Sequence, residues 1–150
     1  MTYPEPAVAK RINDNFVPIQ INVKDESSHP FLDRYRQFWT PDLRLLDAEG
    51  AELYRWNGYL PPHEFLAQLL AAQAQAQMRL QNNAAAVEIY NDLLRRFPTS
   101  AIAPEAQYYH AVAKYKVSGE GPALIGGWRH LQSRYPDSVW RIKQSFTENA

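Results

Sequence analysis

A seven-residue pattern occurs twice in this chain, and it limits the second half to stacked helical units. Leu94-Arg95-Arg96-Phe97-Pro98-Thr99-Ser100 returns 38 residues later as Gln132-Ser133-Arg134-Tyr135-Pro136-Asp137-Ser138. Arg, aromatic, Pro and Ser coincide at 96/134, 97/135, 98/136 and 100/138. Proline has no N–H to donate and its ring clashes with the preceding turn, so each copy closes a helix. Similarity at a fixed period of 20 to 50 residues marks supersecondary units that bury their apolar faces against neighbours. The intervening sequence agrees. Pro62–Gln81 is rich in Ala, Gln and Leu, which favour helix. Asn82-Asn83 stops that helix, and Ala84–Phe97 carries Val87, Tyr90, Leu93, Leu94 and Phe97 in helical register.

The repeat resembles the tetratricopeptide class. Aligned on Pro136, the class's first-helix positions fall on Tyr108, Ala111, Val112 and Tyr115, and its second-helix positions on Leu124, Trp128 and Leu131. All seven are apolar or aromatic. Aligned on Pro98, the second helix fits through Ala86, Tyr90 and Leu93. The first is degenerate, with Leu70, Gln73, Ala74 and Gln77. The extra Ala101-Ile102-Ala103-Pro104 resembles connections in envelope-associated members of the class. Gly126-Gly127 falls inside the second helix of the second unit and is expected to loosen or bend it. Val139–Phe146 reads as a capping helix. By this resemblance a binding groove is lined by Gln68, Ala71, Gln75 and Met78, then by Ala106, Tyr109, Ala113 and Lys116. A clamp for acidic C-terminal peptides is not expected, because its Lys and Asn positions hold Ala71, Gln75, Tyr109 and Ala113.

The first part reads differently. Ala7–Phe16 is a short amphipathic helix, with Val8, Ile12 and Phe16 on one face. Val17–Val23 alternates apolar and polar like a strand. Asp25–Ser28 is a polar loop, and Pro30 opens a second helix through Phe31, Leu32, Tyr35 and Phe38. Thr40-Pro41 stops it. Leu43–Leu46 and Glu52–Trp56 form two strands about the turn Asp47-Ala48-Glu49-Gly50, and Pro61-Pro62 starts the long helix. This order resembles the later part of a thioredoxin-like fold over about residues 1–80. Phe16-Val17-Pro18, Thr40-Pro41, Leu46–Gly50 and Gly58-Tyr59-Leu60 carry the likeness.

The resemblance implies that Pro41 follows a cis peptide bond and that Thr40 and Pro41 border a peptide site. It also implies a Cys-x-x-Cys pair on a preceding central strand, between the strands at 17–23 and 43–46. The chain has no cysteine, so that pair would lie upstream of Met1. Unpaired edges on either side of the missing strand would invite another chain.

Composition narrows the function further. Sixteen basic residues balance sixteen acidic ones, whereas nucleic acid and anionic membranes select an excess of Lys and Arg. Without cysteine, thiolate chemistry and Cys-ligated zinc are closed to the chain. His29, His63, His110 and His130 lack ligand spacing. No phosphate-binding loop or serine elbow occurs. No catalytic residue, cofactor or metal site is expected. No leader or membrane-length apolar run is read, which makes the cytoplasm the expected location.

The expected fold is α+β: an incomplete thioredoxin-like α/β part over 1–66, then an all-α tetratricopeptide-like array over 67–150, with helix 62–81 shared. The expected function is a non-catalytic protein-interaction module. It binds a protein or peptide through Thr40, Pro41, Gln68, Gln75, Met78, Tyr109 and Lys116. A second copy is a further candidate partner, through exposed strand edges. The alternative is the C-terminal part of a disulfide oxidoreductase whose cysteines precede Met1.

Overall fold

A computed structural model describes residues 2–145 and 147. Helix α1 (Pro6–Asn15) leads through extended chain and a single 3₁₀ turn (Glu26–Ser28) to α2 (His29–Arg34). Strands β1 (Asp42–Leu46) and β2 (Glu52–Asn57) follow. The remaining elements are helical: α3 (Pro62–Arg79), α4 (Asn83–Arg96), α5 (Ala103–Ser118), α6 (Gly121–Arg134) and α7 (Val139–Lys143). The chain is thus an incomplete thioredoxin-like α/β part followed by an all-α region.

The hairpin is antiparallel, with Leu43 opposite Trp56 and Leu45 opposite Tyr54. Its turn forms because the Asp47 carboxylate accepts the N–H groups of Glu49 (3.1 Å) and Ala51 (2.7 Å). Gly50 supplies the positive φ of +81° that completes it. Along β1 the faces alternate. Leu43 joins Trp56, Phe65 and Leu69 in an apolar cluster with Val8, Ile12 and Phe16 of the α1 region. Arg44 faces the other way, beside Asp42 at 2.7 Å and also paired with Glu52. The Tyr35 ring lies 5.3 Å from its guanidinium, and the Tyr35 hydroxyl donates to Gly50 O at 2.8 Å. In this way Tyr35, just after α2, lies over the charged face of the hairpin.

A second cluster joins α3, α4 and α5 through Leu70, Ala74, Tyr90, Leu93, Ala106 and Ala113. Leu66 of α3 packs against both clusters. The repeated pattern folds the same way twice. Phe97 and Tyr135 have nearly equal backbone angles (φ −128°, ψ 49° and φ −132°, ψ 59°). Their N–H groups bond back to Leu93 and Leu131, and their carbonyls accept the N–H of Ser100 and Ser138, both at 3.1 Å. Arg96 and Arg134 lie over the neighbouring rings at 5.1 and 5.8 Å. The Tyr135 hydroxyl donates to Pro98 O at 2.7 Å, tying the two turns together.

Several expectations are corrected. Residues 17–23 form no strand: the sheet among the described residues contains β1 and β2 only. Alternation supplies a face, but a strand also needs a neighbour for its N–H and C=O groups. Val17 and Ile19 are consequently 90% and 77% exposed. Helix α2 ends at Arg34, so Phe38 lies beyond it, on the surface. The polar stretch at 25–28 is capped by Asp25 into the 3₁₀ turn, through the N–H of Ser27 at 2.9 Å. Gly126-Gly127 lies within α6, which runs unbroken from Gly121 to Arg134. A Cβ at Gly127 would stand 2.5 Å from Ala111 Cβ, so this glycine lets α6 approach α5 closely. Tyr115 lies on the surface, because the last turn of α5 extends past the packed part of the hairpin. Helix α7 ends at Lys143, and Phe146 of the expected capping helix lies outside the described residues.

Candidate functional site

Two surfaces gather the residues expected to bind a partner. The first surrounds Thr40-Pro41, where the peptide bond is cis, as the thioredoxin-like resemblance implies. Pro41 O accepts the Gly58 N–H at 3.0 Å, which anchors Pro41 at the open end of the hairpin. Thr40 is exposed and Pro41 half-buried. Beside them stand Phe38 (71% exposed) and Trp39 (65%), and Tyr59 is also exposed just beyond β2. Arg55 lies 5.5 Å from the Phe38 ring. Among the described residues β1 pairs with β2 along one side and with no strand along the other. The extended residues 17–23 present exposed apolar side chains of their own.

The second surface is built by α3, β2 and α5. Gln68 donates to the Tyr54 hydroxyl at 3.1 Å, and Tyr54 donates to the Glu105 carboxylate at 3.4 Å. Burial pushes the Glu105 carboxyl above its ordinary value, against the opposing effects of Tyr54 and Lys143. Burial, then the nearby Glu105 charge, pushes the Tyr54 phenol up to about 12. Tyr109 stands one turn along from Glu105 and meets Trp140 of α7 edge-on at 5.4 Å. Burial raises its phenol as well.

The structure therefore brings Gln68 and Tyr109 into one polar and aromatic cluster. Met78 sits lower on α3, with its sulfur 3.9 Å from the Tyr90 hydroxyl. Gln75 is half-buried on the same helix. Lys116 is exposed in the last turn of α5, about 10 Å beyond Tyr109 at helical rise. Thr40 and Pro41 are not part of this cluster. Gly58, which holds Pro41, is four residues from Tyr54 along β2, about 13 Å in an extended strand. Ala71, Ala106 and Ala113, expected to line a groove, are buried in the core between α3 and α5. Small side chains are what allow those helices to approach.

Tyr54, Glu105 and Trp140 escaped the sequence reading. Tyr54 looked like any strand aromatic and Glu105 like an ordinary first-turn acid. Only the packing of β2 against α3 and of α7 against α5 joins them. A carboxylate three residues before the aromatic pair Tyr108-Tyr109 was the one available hint, and it is a weak one.

An antiparallel hairpin after Thr40-Pro41, backed by a helix on its apolar face, has the arrangement of a thioredoxin-like part, here without a thiol pair. Comparison with protein families agrees: the thioredoxin-like domain family matches residues 2–73. Comparisons with curated proteins and with solved structures return no match. Among the described residues no helix is long and apolar enough to cross a membrane, and no group of His, Asp and Glu has the arrangement of a metal site.

Proposed function

We propose that this chain is a non-catalytic protein-interaction module. Its thioredoxin-like part (1–66) receives an extended segment of a partner, and its tetratricopeptide-like array (67–150, with α3 shared) provides a second contact face. The carrying observation is the edge of β1 that pairs with no strand among the described residues, together with the exposed aromatics next to Pro41 and the unpaired, exposed Val17 and Ile19. Unpaired N–H and C=O groups on an edge template strand addition. Alternating apolar side chains on the incoming strand would meet Leu43 and Leu45 or the exposed Val17 and Ile19. The repeat reading is supported by the matched turns at Pro98 and Pro136 and by the burial of Trp128 and Leu131. The balanced charge favours a protein or peptide over nucleic acid, and the cytoplasm is the proposed site of action.

Amide hydrogen exchange with a synthetic peptide of alternating Val and Thr tests this reading. The expected result is slowed exchange over 17–23 and 42–46, lost in Ile19→Lys. Protection confined to the helices would overturn strand addition. So would protection of the same amides by self-association at high concentration with no peptide present, which would make a second copy the partner.

A second reading is favoured by the thioredoxin-like match over residues 2–73. In it, this chain is the substrate-binding side of a disulfide oxidoreductase whose cysteines lie upstream of Met1. An in-frame strand followed by Cys-x-x-Cys upstream of Met1 would establish it, and its absence from the gene would remove it.

A further inference from the structure

A cavity of about 420 Å³ opens between α4, α5 and α6, away from both surfaces described above. We propose that it binds a small-molecule phosphate carrying two or more negative charges. Lys114, His130 and Arg134 would hold the anion over the half-buried ring of His110. Every titratable side chain lining this cavity is basic, although the chain as a whole has no net charge. Three helices contribute: Arg95 from α4, His110 and Lys114 from α5, His130 and Arg134 from α6.

Internal ion pairs do not account for this charge. Asp92 neutralises Arg95 and is shared with Arg96 at 3.0 Å. Lys114 and Arg134 form no ion pair among the described residues, and Arg134 rests over the Tyr135 ring. His110 Nε2 is buried and has no hydrogen-bond partner. A buried polar atom without a partner is costly unless something fills the place. Gly126 lines the opening, where a Cβ would meet nothing within 4 Å. Gln107 also lines the wall, with its amide directed to Gly127 O at 3.3 Å.

Several basic side chains lining one opening suit an oxyanion of high charge, because each contact is a charge-assisted hydrogen bond. The volume exceeds what one phosphate group needs and lies in the range of small-molecule sites, ~300–1,000 Å³. The anion should also alter His110. Burial, then the nearby Lys114 and His130, holds the His110 ring down to about 4, so it is neutral at pH 7 in the free protein. Tyr90 of α4, the other titratable group against it, keeps its proton and adds no charge. An anion between His110 and the surrounding cations reverses the electrostatic penalty, and the ring takes up a proton on binding.

Titration calorimetry of the whole chain with inorganic pyrophosphate tests the site, at about pH 6 and about pH 7.5 to bracket the histidine range. The expected result is binding with proton uptake, tighter at the lower pH. Lys114→Gln and His130→Gln each weaken it about tenfold, the scale of one lost charge-assisted contact. Both residues are on the surface, and unchanged circular dichroism confirms that the variants fold. Absence of binding, or equal affinity in the variants, would overturn the site. Citrate binding as tightly as pyrophosphate would overturn the phosphate class. No strand-pairing partner is present in this experiment, so its outcome is independent of the interaction role proposed above.

Discussion

Single side chains in this protein behave according to what packs around them. His110 is a clear case. Sequence places it on a helix with no ligand spacing. The fold then buries its ring between Tyr90 and α6, beside Lys114 and His130. Its folded value near 4 lies below the ordinary 6.5. Between these two values the unfolded chain binds a proton that the native chain does not, so stability rises with pH there and falls on acidification. Glu105 acts in the opposite sense. Its folded value is raised above 4.5, so the stability it adds is present below 4.5 and lost as pH rises toward the folded value. The expected outcome is a melting temperature that drops from pH 6.5 toward pH 4, with a shallower drop in His110→Gln. Parallel curves for the two proteins would show that His110 is not protected from protonation. Trp128 is a second residue-scale test. It is buried, stacks on Tyr108 at 5.1 Å and donates its indole N–H to Tyr108 O at 3.4 Å. Trp128→Ala should destabilise by about 3–5 kcal/mol, the range for emptying a core aromatic site. An unchanged denaturation midpoint would refute its place in the helical register.

Among the elements, those fixed by local signals were the legible ones. The helix at 62–81 is α3 at Pro62–Arg79, and the helix at 84–97 is α4 at Asn83–Arg96. Their ends are set by prolines and by the local loss of helix-forming residues, and these are properties of the chain itself. The hairpin was equally legible, because Asp47 and Gly50 make its turn locally. The strand expected at 17–23 failed because its hydrogen bonds need a neighbour that no local signal can supply. Gly127 shows a third kind of case. Its cost to helix propensity was visible, but not its role as a contact point between α5 and α6. Gly127→Ala would gain propensity yet drive a methyl into Ala111. Overpacking of this kind costs ~1–3 kcal/mol, so we expect net destabilisation in chemical denaturation. A stabilised variant would mean that α6 moves away from α5 without cost.

For the whole molecule, α3 is the element on which both parts depend. Leu66, on the same helix as the thioredoxin-like and helical cores, touches both apolar clusters. Chemistry at this scale is limited by composition: thiol–disulfide exchange requires a thiolate, and the chain has no cysteine. Insulin reduction by this chain should therefore remain at background, and turnover above background would refute the non-catalytic reading. Of the two candidate surfaces, only Thr40-Pro41 was legible beforehand, because it is a contiguous pair. The Gln68, Tyr54, Glu105 and Tyr109 cluster draws on three elements and was legible only in part.

The sequence by itself determined what depends on neighbours along the chain. That includes where helices start and stop, the tight turn at Asp47–Gly50, the recurrence of one helix ending at Pro98 and Pro136, and the exclusion of cysteine chemistry. Tertiary structure decided what depends on neighbours in space. It left 17–23 unpaired, turned Ala71, Ala106 and Ala113 inward, and gathered basic side chains from α4, α5 and α6 around His110. The physical reason is range. Steric limits and capping hydrogen bonds act over about four residues, whereas burial, pairing and electrostatic shifts are set by whichever distant segments the fold brings together.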